Sequence, residues 1–589
     1  MVALCGHEAR PYAFGGRDRP VHPGGCFDLR ARSTFGLVLL ILSACIDASG
    51  AQPAQGSTYY VSIRGDDSNP GSEARPWRSV AQVNRHHLAA GDSVLFEGGQ
   101  TFEGPLLLGD RVAADPSRPI VIGSYGNGRA VIHAGFGTAI LVWNIGGVTL
   151  RDLEAGGDGA ANRGYGVEVL NETGTAPLDS IQIENVSASG FHWAGIYVGG
   201  VPSVPGAPPP PAGSRYGFRD VRISHCTAHD NMYYGIWVSG PWWAGKTTGY
   251  ANQNVTISDS IAYDNPGDPA YKDNHSGNGI LLDDTDGGLI DHCAAWHNGA
   301  ANGSTQGGPV GIWADESNRV TIQFCESYNN RTGGAADGGG FDLDGGVTNS
   351  VLQYNYSHGN DGAGYLVWSY WGAVHPLAHN VIRYNISEND GRKHRYGGIH
   401  IGTSGGVVED IEVYNNTVFM GGADGAQPRD VWVGGSEPNK QIKLWNNLLI
   451  SEGGVPLVEV EPRQDMSFQG NAYWTTGGKF VVLDAGTAYA SLDQWRAATG
   501  QERLHNEATG LTVDPRLTAM NSGETLAGQR PLSDLTAYRP LPDSPLIDAG
   551  LDLAREFGIN VGQHDYWGTP VPQGRGFDIG ACEAPGQHR

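Results

Sequence analysis

The sequence predicts an all-β chain wound as a parallel β-helix, a solenoid of short strands. Three observations carry that expectation. A glycine phrase with alternating apolar residues recurs as AGIYV (194–198), YGIWV (234–238), GNGILLDD (277–284), PVGIWADE (309–316), GGFDLDGG (339–346), GAGYLVWS (362–369) and GGIHI (397–401). A second phrase recurs between these: an apolar strand closed by a small or amide residue. It reads ISHC (223–226), ISDS (257–260), IDHC (290–293), IQFC (322–325), LQYN (352–355), IRYN (382–385), VYNN (413–416) and LWNN (444–447). The spacing is irregular, roughly 25–45 residues, which is the range of solenoid repeats. Neither helices nor tight Asn-Gly hairpins separate the strands, against a sandwich, and uneven spacing argues against a propeller.

Residues two apart on a strand share a face. Ile280 and Leu282, Ile312 and Ala314, Phe341 and Leu343, Tyr365 and Val367 therefore point to one interior. Cys226, Ser260, Cys293, Cys325, Asn355, Asn385, Asn416 and Asn447 fall in one column. Inward amides bonding along a stack, and small buried thiols within it, account for that column without a disulfide framework or metal.

With 589 residues, 89 of them glycine and 33 proline, the chain is rich in turns, and its formal net charge of −24 argues against nucleic acid and anionic membranes as partners. Arg30 and Arg32 precede an apolar run, residues 35–42, too short to span a bilayer and suited to a signal-peptide core. It ends in Leu42-Ser43-Ala44-Cys45, which resembles the lipobox of bacterial lipoproteins; an ordinary signal peptide cut before the linker 48–57 is the alternative. The chain is thus expected to be exported, either as a bacterial surface or outer-membrane lipoprotein anchored through Cys45 or as a secreted monomer.

Four regions follow: an export segment and linker (1–56), an N-terminal cap with the first strands (57–119), the β-helix core carrying a groove (120–450), and the last coils with a C-terminal cap (451–589). The segment from Thr58, with YYVS, GDDSNPG, PW and GDSVLF, resembles the N-terminal cap of exported right-handed parallel β-helix proteins that act on polysaccharides, the polysaccharide-lyase and polygalacturonase-like group. LPDSPLIDAG (541–550) and GFDIGACE (576–583) resemble a closing phrase common in that group, which gives Asp548, Asp578 and Glu583 structural roles. The resemblance implies a right-handed coil and a polysaccharide partner, and leaves the reaction open. Insertions at 199–215, 266–278, 299–308 and 331–338 recur near strand ends, and insertions at one point of a coil build a wall on one face.

Chemistry is expected where the glycine phrases align. Asp283, Asp315 and Asp344 share one register, about 4.8 Å apart per rung, with Asp284 and Glu316 following the first two and Asp342 facing outward. Stacked carboxylates repel unless a cation or a catalytic task holds them. Paired carboxyls are what glycoside hydrolysis requires; carboxylates in numbers are also what calcium takes.

Two enzymatic readings and one binding reading follow. In the first, two of Asp283, Asp315, Asp342 and Asp344 hydrolyse a polysaccharide without a cofactor. In the second, Asp283, Asp284, Asp315, Glu316 and Asp344 hold Ca2+ for a lyase acting on uronates, with Lys272 or Lys393 as base and Arg395 on the substrate carboxylate. Trp237, Trp313, Trp368, Trp371 and His400 would line the sugar path, as Tyr197, Trp242, Trp243 and Tyr370 near them could. In the third, the chain is a surface β-helix that binds glycans without turnover.

Overall fold

The computed structural model describes residues 56–200, 216–241, 249–526 and 530–585. The export segment with Cys45, residues 201–215 of the proline-rich insertion, Trp242 and Trp243 lie outside the described residues. The coil is built from three sheets of 14 strands each. The first sheet begins with Thr58–Val61 and ends with Met466–Gln469; the second runs from Thr101–Glu103 to Leu511–Thr512. The third runs from Leu106–Leu108 to Val482–Asp484 and closes on the antiparallel strand Thr487–Tyr489. Successive rungs pair in parallel and in register, so Ile280, Ile312, Phe341, Tyr365, Ile399 and Val431 stack inside. All are fully buried.

The two recurring phrases have a direct structural cause. The apolar strand of the first sheet turns into the second through two residues. The first adopts left-handed φ, between 48° and 59° at His225, Asp259, His292, Phe324, Tyr354, Tyr384, Asn415 and Asn446, a region that Asn, Asp and His enter more readily than other side chains. The second turns inward and caps the next rung. Asn355 N–H donates to Asn385 Oδ1, Asn385 N–H to Asn416 Oδ1 and Asn416 N–H to Asn447 Oδ1, each at 3.0 Å. Cys325 N–H joins the same ladder through Asn355 Oδ1 at 3.0 Å. Cys226, Cys293, Cys325 and Cys582 are buried free thiols.

A parallel ladder, which the sequence phrases did not reveal, lines the corner between the second and third sheets. It links Asn231, Asn265, Asn298, Asn330 and Asn360, and ends on Asp390. This ladder explains the glycine of the glycine phrase. A Cβ at Gly311 would lie 2.0 Å from Ser327 Oγ and 2.6 Å from Asn330 Nδ2, and one at Gly340 2.2 Å from Ser357 Oγ and 2.9 Å from Asn360 Nδ2, so the chain passes too close to the inner serines and amides for any side chain.

One rung beyond Gly398 the place is taken by Asp430, whose two carboxylate oxygens are buried without a hydrogen-bond partner among the described residues. Burial alone raises its pKa well above the usual carboxylate range. The unfolded chain ionises near pH 3.9, so the folded state pays no penalty below that pH. The penalty grows as pH rises towards the raised folded value. Asp430→Asn is therefore expected to stabilise the fold at pH 7.5 by about 2 kcal/mol and to do little at pH 4; chemical denaturation at the two pH values measures the difference.

The ends are closed by short helices. Ser79 caps Val80–Arg85 by accepting from Gln82 N–H, and Val80 and Val83 are buried. Ser491 caps Leu492–Thr499, which stops at Gly500 in left-handed φ, and Trp495 is fully buried against Phe468 and Tyr473. The C-terminal phrases run lengthwise outside the coil. Leu517, Leu535, Tyr538, Leu546 and Ile579 cover Tyr356, Ile386, Phe419 and Leu448 of the second sheet. Within this segment Asp578 accepts from Asp548 N–H at 2.7 Å, and Asp548 from Arg575 and Gly576 N–H at 2.7 and 2.9 Å, so these carboxylates tie loops together. The second sheet is covered there, and the third is left to form a surface.

Candidate active site

The third sheet is flanked by loops at both strand ends. Residues 264–277, 297–309, 329–338 and 389–396 enter it, and 370–376 leave it. Its central outward column reads Tyr197, Trp237, Leu281, Trp313, Asp342, Leu366, His400, Trp432 and Glu459. A second column at the exit edge carries Ser239, Asp283, Asp315 and, one rung on, Asp344. The predicted acidic column is thus one row of neighbours on the rim of this face.

Asp283 accepts from Ser239 Oγ at 2.7 Å. Asp315 accepts from Tyr370 Oη at 3.1 Å. Burial holds the Asp315 carboxyl well above the usual range, with Asp344, Asp283 and Glu316 adding repulsion. Asp342 is buried, its Oδ1 has no partner among the described residues, and burial followed by repulsion from Asp344, Asp337 and Asp315 raises it strongly. The Asp344 carboxylate accepts only from the neighbouring Gly345 N–H among the described residues, at 2.8 Å. Burial pushes it up to about 8, aided by Asp337 and Glu316.

Asp337, which the sequence reading missed, sits at the entry of the strand Gly339–Leu343 that Asp344 leaves. Tyr396 Oη donates to its Oδ1 and accepts from its N–H, both at 2.8 Å. Asp337 and Asp344 thus stand at opposite ends of one rung with Asp342 between them. Asp315, Asp337 and Asp344 are each half-buried.

The remaining predicted residues separate. Asp284 and Glu316 have left-handed φ of 51° and 42°, which turns them off the acidic rim. Asp284 accepts from Ala251 N–H, and Glu316 from Val374 N–H and His375 Nδ1, so both anchor exit loops. Among the described residues no group of three or more His, Cys, Asp or Glu is placed to hold a metal ion. Lys393 Nζ donates to Thr332 O at 2.6 Å, pinning one entry loop to another. Lys272 is exposed on the entry wall, over Gly303. Arg395 pairs with Glu459 and, at 3.8 Å, with Glu461.

Trp237 stacks on Tyr234 at 4.4 Å, and Trp313 meets His275 edge-on at 5.3 Å; both are nearly buried by the entry loops. Trp368 is half-buried beside Trp432, while Trp371 is 64% exposed on the exit wall. His400 is buried and stacked on Trp432 at 4.1 Å.

Residues 165–375, which span the acidic rim, match the family model described as right handed beta helix region. The fold is a right-handed parallel β-helix. This β-helix protein is 26% identical, over 90% of its length, to a lacto-N-biosidase of Bifidobacterium longum subsp. longum. It spans 36% of that relative's length. Among solved structures it is similar to a GH136 lacto-N-biosidase from Eubacterium ramulus, at 20% identity and a TM-score of 0.45, over 73% of this chain and 68% of the other. It is also similar to a pectate lyase, at 17% identity and a TM-score of 0.35, over 90% of this chain and 97% of the other.

Proposed function

We propose that this protein is a glycoside hydrolase that cleaves an oligosaccharide or polysaccharide lying on the third sheet, with Asp337 and Asp344 as the carboxyl pair. The observation that carries the proposal is the placement of two half-buried carboxyls at opposite ends of one rung, with the uncommitted Asp342 between them. Hydrolysis needs one carboxyl protonated and one ionised on either side of the scissile bond. Enclosure raises both carboxyls, and Asp337 adds repulsion at Asp344, which favours that sharing. Asp315, fixed by Tyr370, adds to the repulsion that keeps a proton in the cluster. The name of the curated relative, a lacto-N-biosidase, supports a glycosidase and a neutral substrate of that kind.

Elimination from a uronate is supported less well. Lys393 is engaged with a carbonyl, Arg395 with Glu459 and Glu461, and Asp284 and Glu316 with loops. Export, read from residues 30–45, belongs to the same proposal, since such glycans lie outside the cell.

The test is incubation with neutral and uronate glycans, with and without a chelator. New reducing ends from a neutral glycan, unchanged by the chelator, are expected. Activity confined to uronates and restored only by added calcium would overturn the proposal. The alkaline limb of the pH–rate profile is expected near pH 8, where Asp344 loses its proton. Glu316→Gln removes one source of repulsion and should move that limb to lower pH.

A further inference from the structure

Beyond Asp342 the groove floor changes character. His400 lies two rungs on and Trp432 three. Gly397 N–H donates to His400 Nδ1 at 3.3 Å, which leaves the ring proton on Nε2. That Nε2–H has no partner among the described residues, and its ring is fixed by the stack on Trp432. Trp368 and Trp432 lean together over Gly402, where a Cβ would lie 2.7 Å from one ring and 3.0 Å from the other. The next outward residue, Glu459, receives both nearby guanidinium groups, Arg395 and the buried Arg429. Glu461 adds a second carboxylate 3.8 Å from Arg395. Two cations and two anions cancel, so no cation is left over for a substrate carboxylate.

We infer that this stretch is a subsite for an uncharged sugar, in which His400 Nε2–H donates to a sugar oxygen and Glu459 withholds Arg395 and Arg429 from acidic sugars. The inference rests on the proposed reading of the groove and names its substrate class. Burial, with Arg429 and Arg395 adding to it, keeps His400 well below its ordinary pKa, so the donor stays neutral. A neutral N–H suits a hydroxyl or amide oxygen. Trp368, half-buried, supplies an apolar ring beside it.

The experiment measures binding by titration calorimetry to the full chain carrying Asp344→Asn, so that turnover does not interfere. The probes are lacto-N-biose, a neutral disaccharide, and trigalacturonate. The neutral sugar is expected to bind and the uronate not to. His400→Ala should weaken the neutral sugar about tenfold, the worth of one hydrogen bond with its stack. His400→Gln, which keeps a donor, should recover part of that loss. Glu459→Gln should create trigalacturonate binding absent from its parent. Failure of the neutral sugar to bind, equal binding of both probes, or indifference to His400→Ala would overturn the inference. Turnover that survives Asp344→Asn would instead sink the hydrolase reading, so the two failures are told apart.

Discussion

Asp344→Asn is expected to lower turnover by about 10²- to 10⁴-fold, the range for removing a group that transfers a proton in the transition state. Asparagine keeps the shape and can still accept from Gly345 N–H. It removes a carboxyl that burial has pushed up to about 8. The fold should not suffer, because the Asp344 side chain makes no other hydrogen bond among the described residues and repels its neighbours. Circular dichroism and a thermal melt should match the parent or improve on it. Asp337→Asn is expected to cost as much, since it removes the carboxyl at the other end of the rung. Asp283→Asn, whose position is bonded to Ser239, should cost far less. An unchanged rate in Asp344→Asn with an intact fold would remove the acidic rim from the chemistry.

Asn385→Leu is expected to destabilise the coil by about 3–5 kcal/mol. Asn385 Oδ1 accepts from the N–H and the Nδ2 of Asn355, and its own Nδ2 donates to Leu352 O and Asn416 Oδ1. Leucine is similar in size, so the core stays filled, but several buried groups lose their partners at about 1–3 kcal/mol each. Denaturation in urea measures the shift, and a midpoint close to that of the parent would mean that the amide ladder is ornamental. Activity at low temperature should survive, because the ladder corner lies between the first and second sheets, away from the groove.

These two outcomes also separate what the sequence carried from what it hid. Alternation in phrases such as GFDL placed Phe341 and Leu343 inside and Asp342 outside, because strand geometry leaves one choice. The amides of IRYN and VYNN could be placed because each repeat puts one at the same step after a left-handed residue. Asp337 was missed because it precedes its strand in an irregular insertion, where no period assigns a direction. Its signal was available: an acid at each end of a single rung, seven residues from Asp344. Asp284 and Glu316 looked like part of the acidic column by adjacency, yet left-handed turns send them to the exit loops. The second ladder was also written in the chain, as an amide in HDN, YDN, WHN and YNN before each glycine phrase. Trp237 and Trp313 were expected to be open to sugar; the entry loops that cover them have no periodicity to read.

The most direct test is the mass of the products that the chain makes from its substrate. Hydrolysis through Asp337 and Asp344 adds one water per bond cut, so the fragment masses must sum to the substrate plus one water. Fragments that sum to the substrate alone, with the ultraviolet absorbance of an unsaturated uronate, would show elimination and contradict the account.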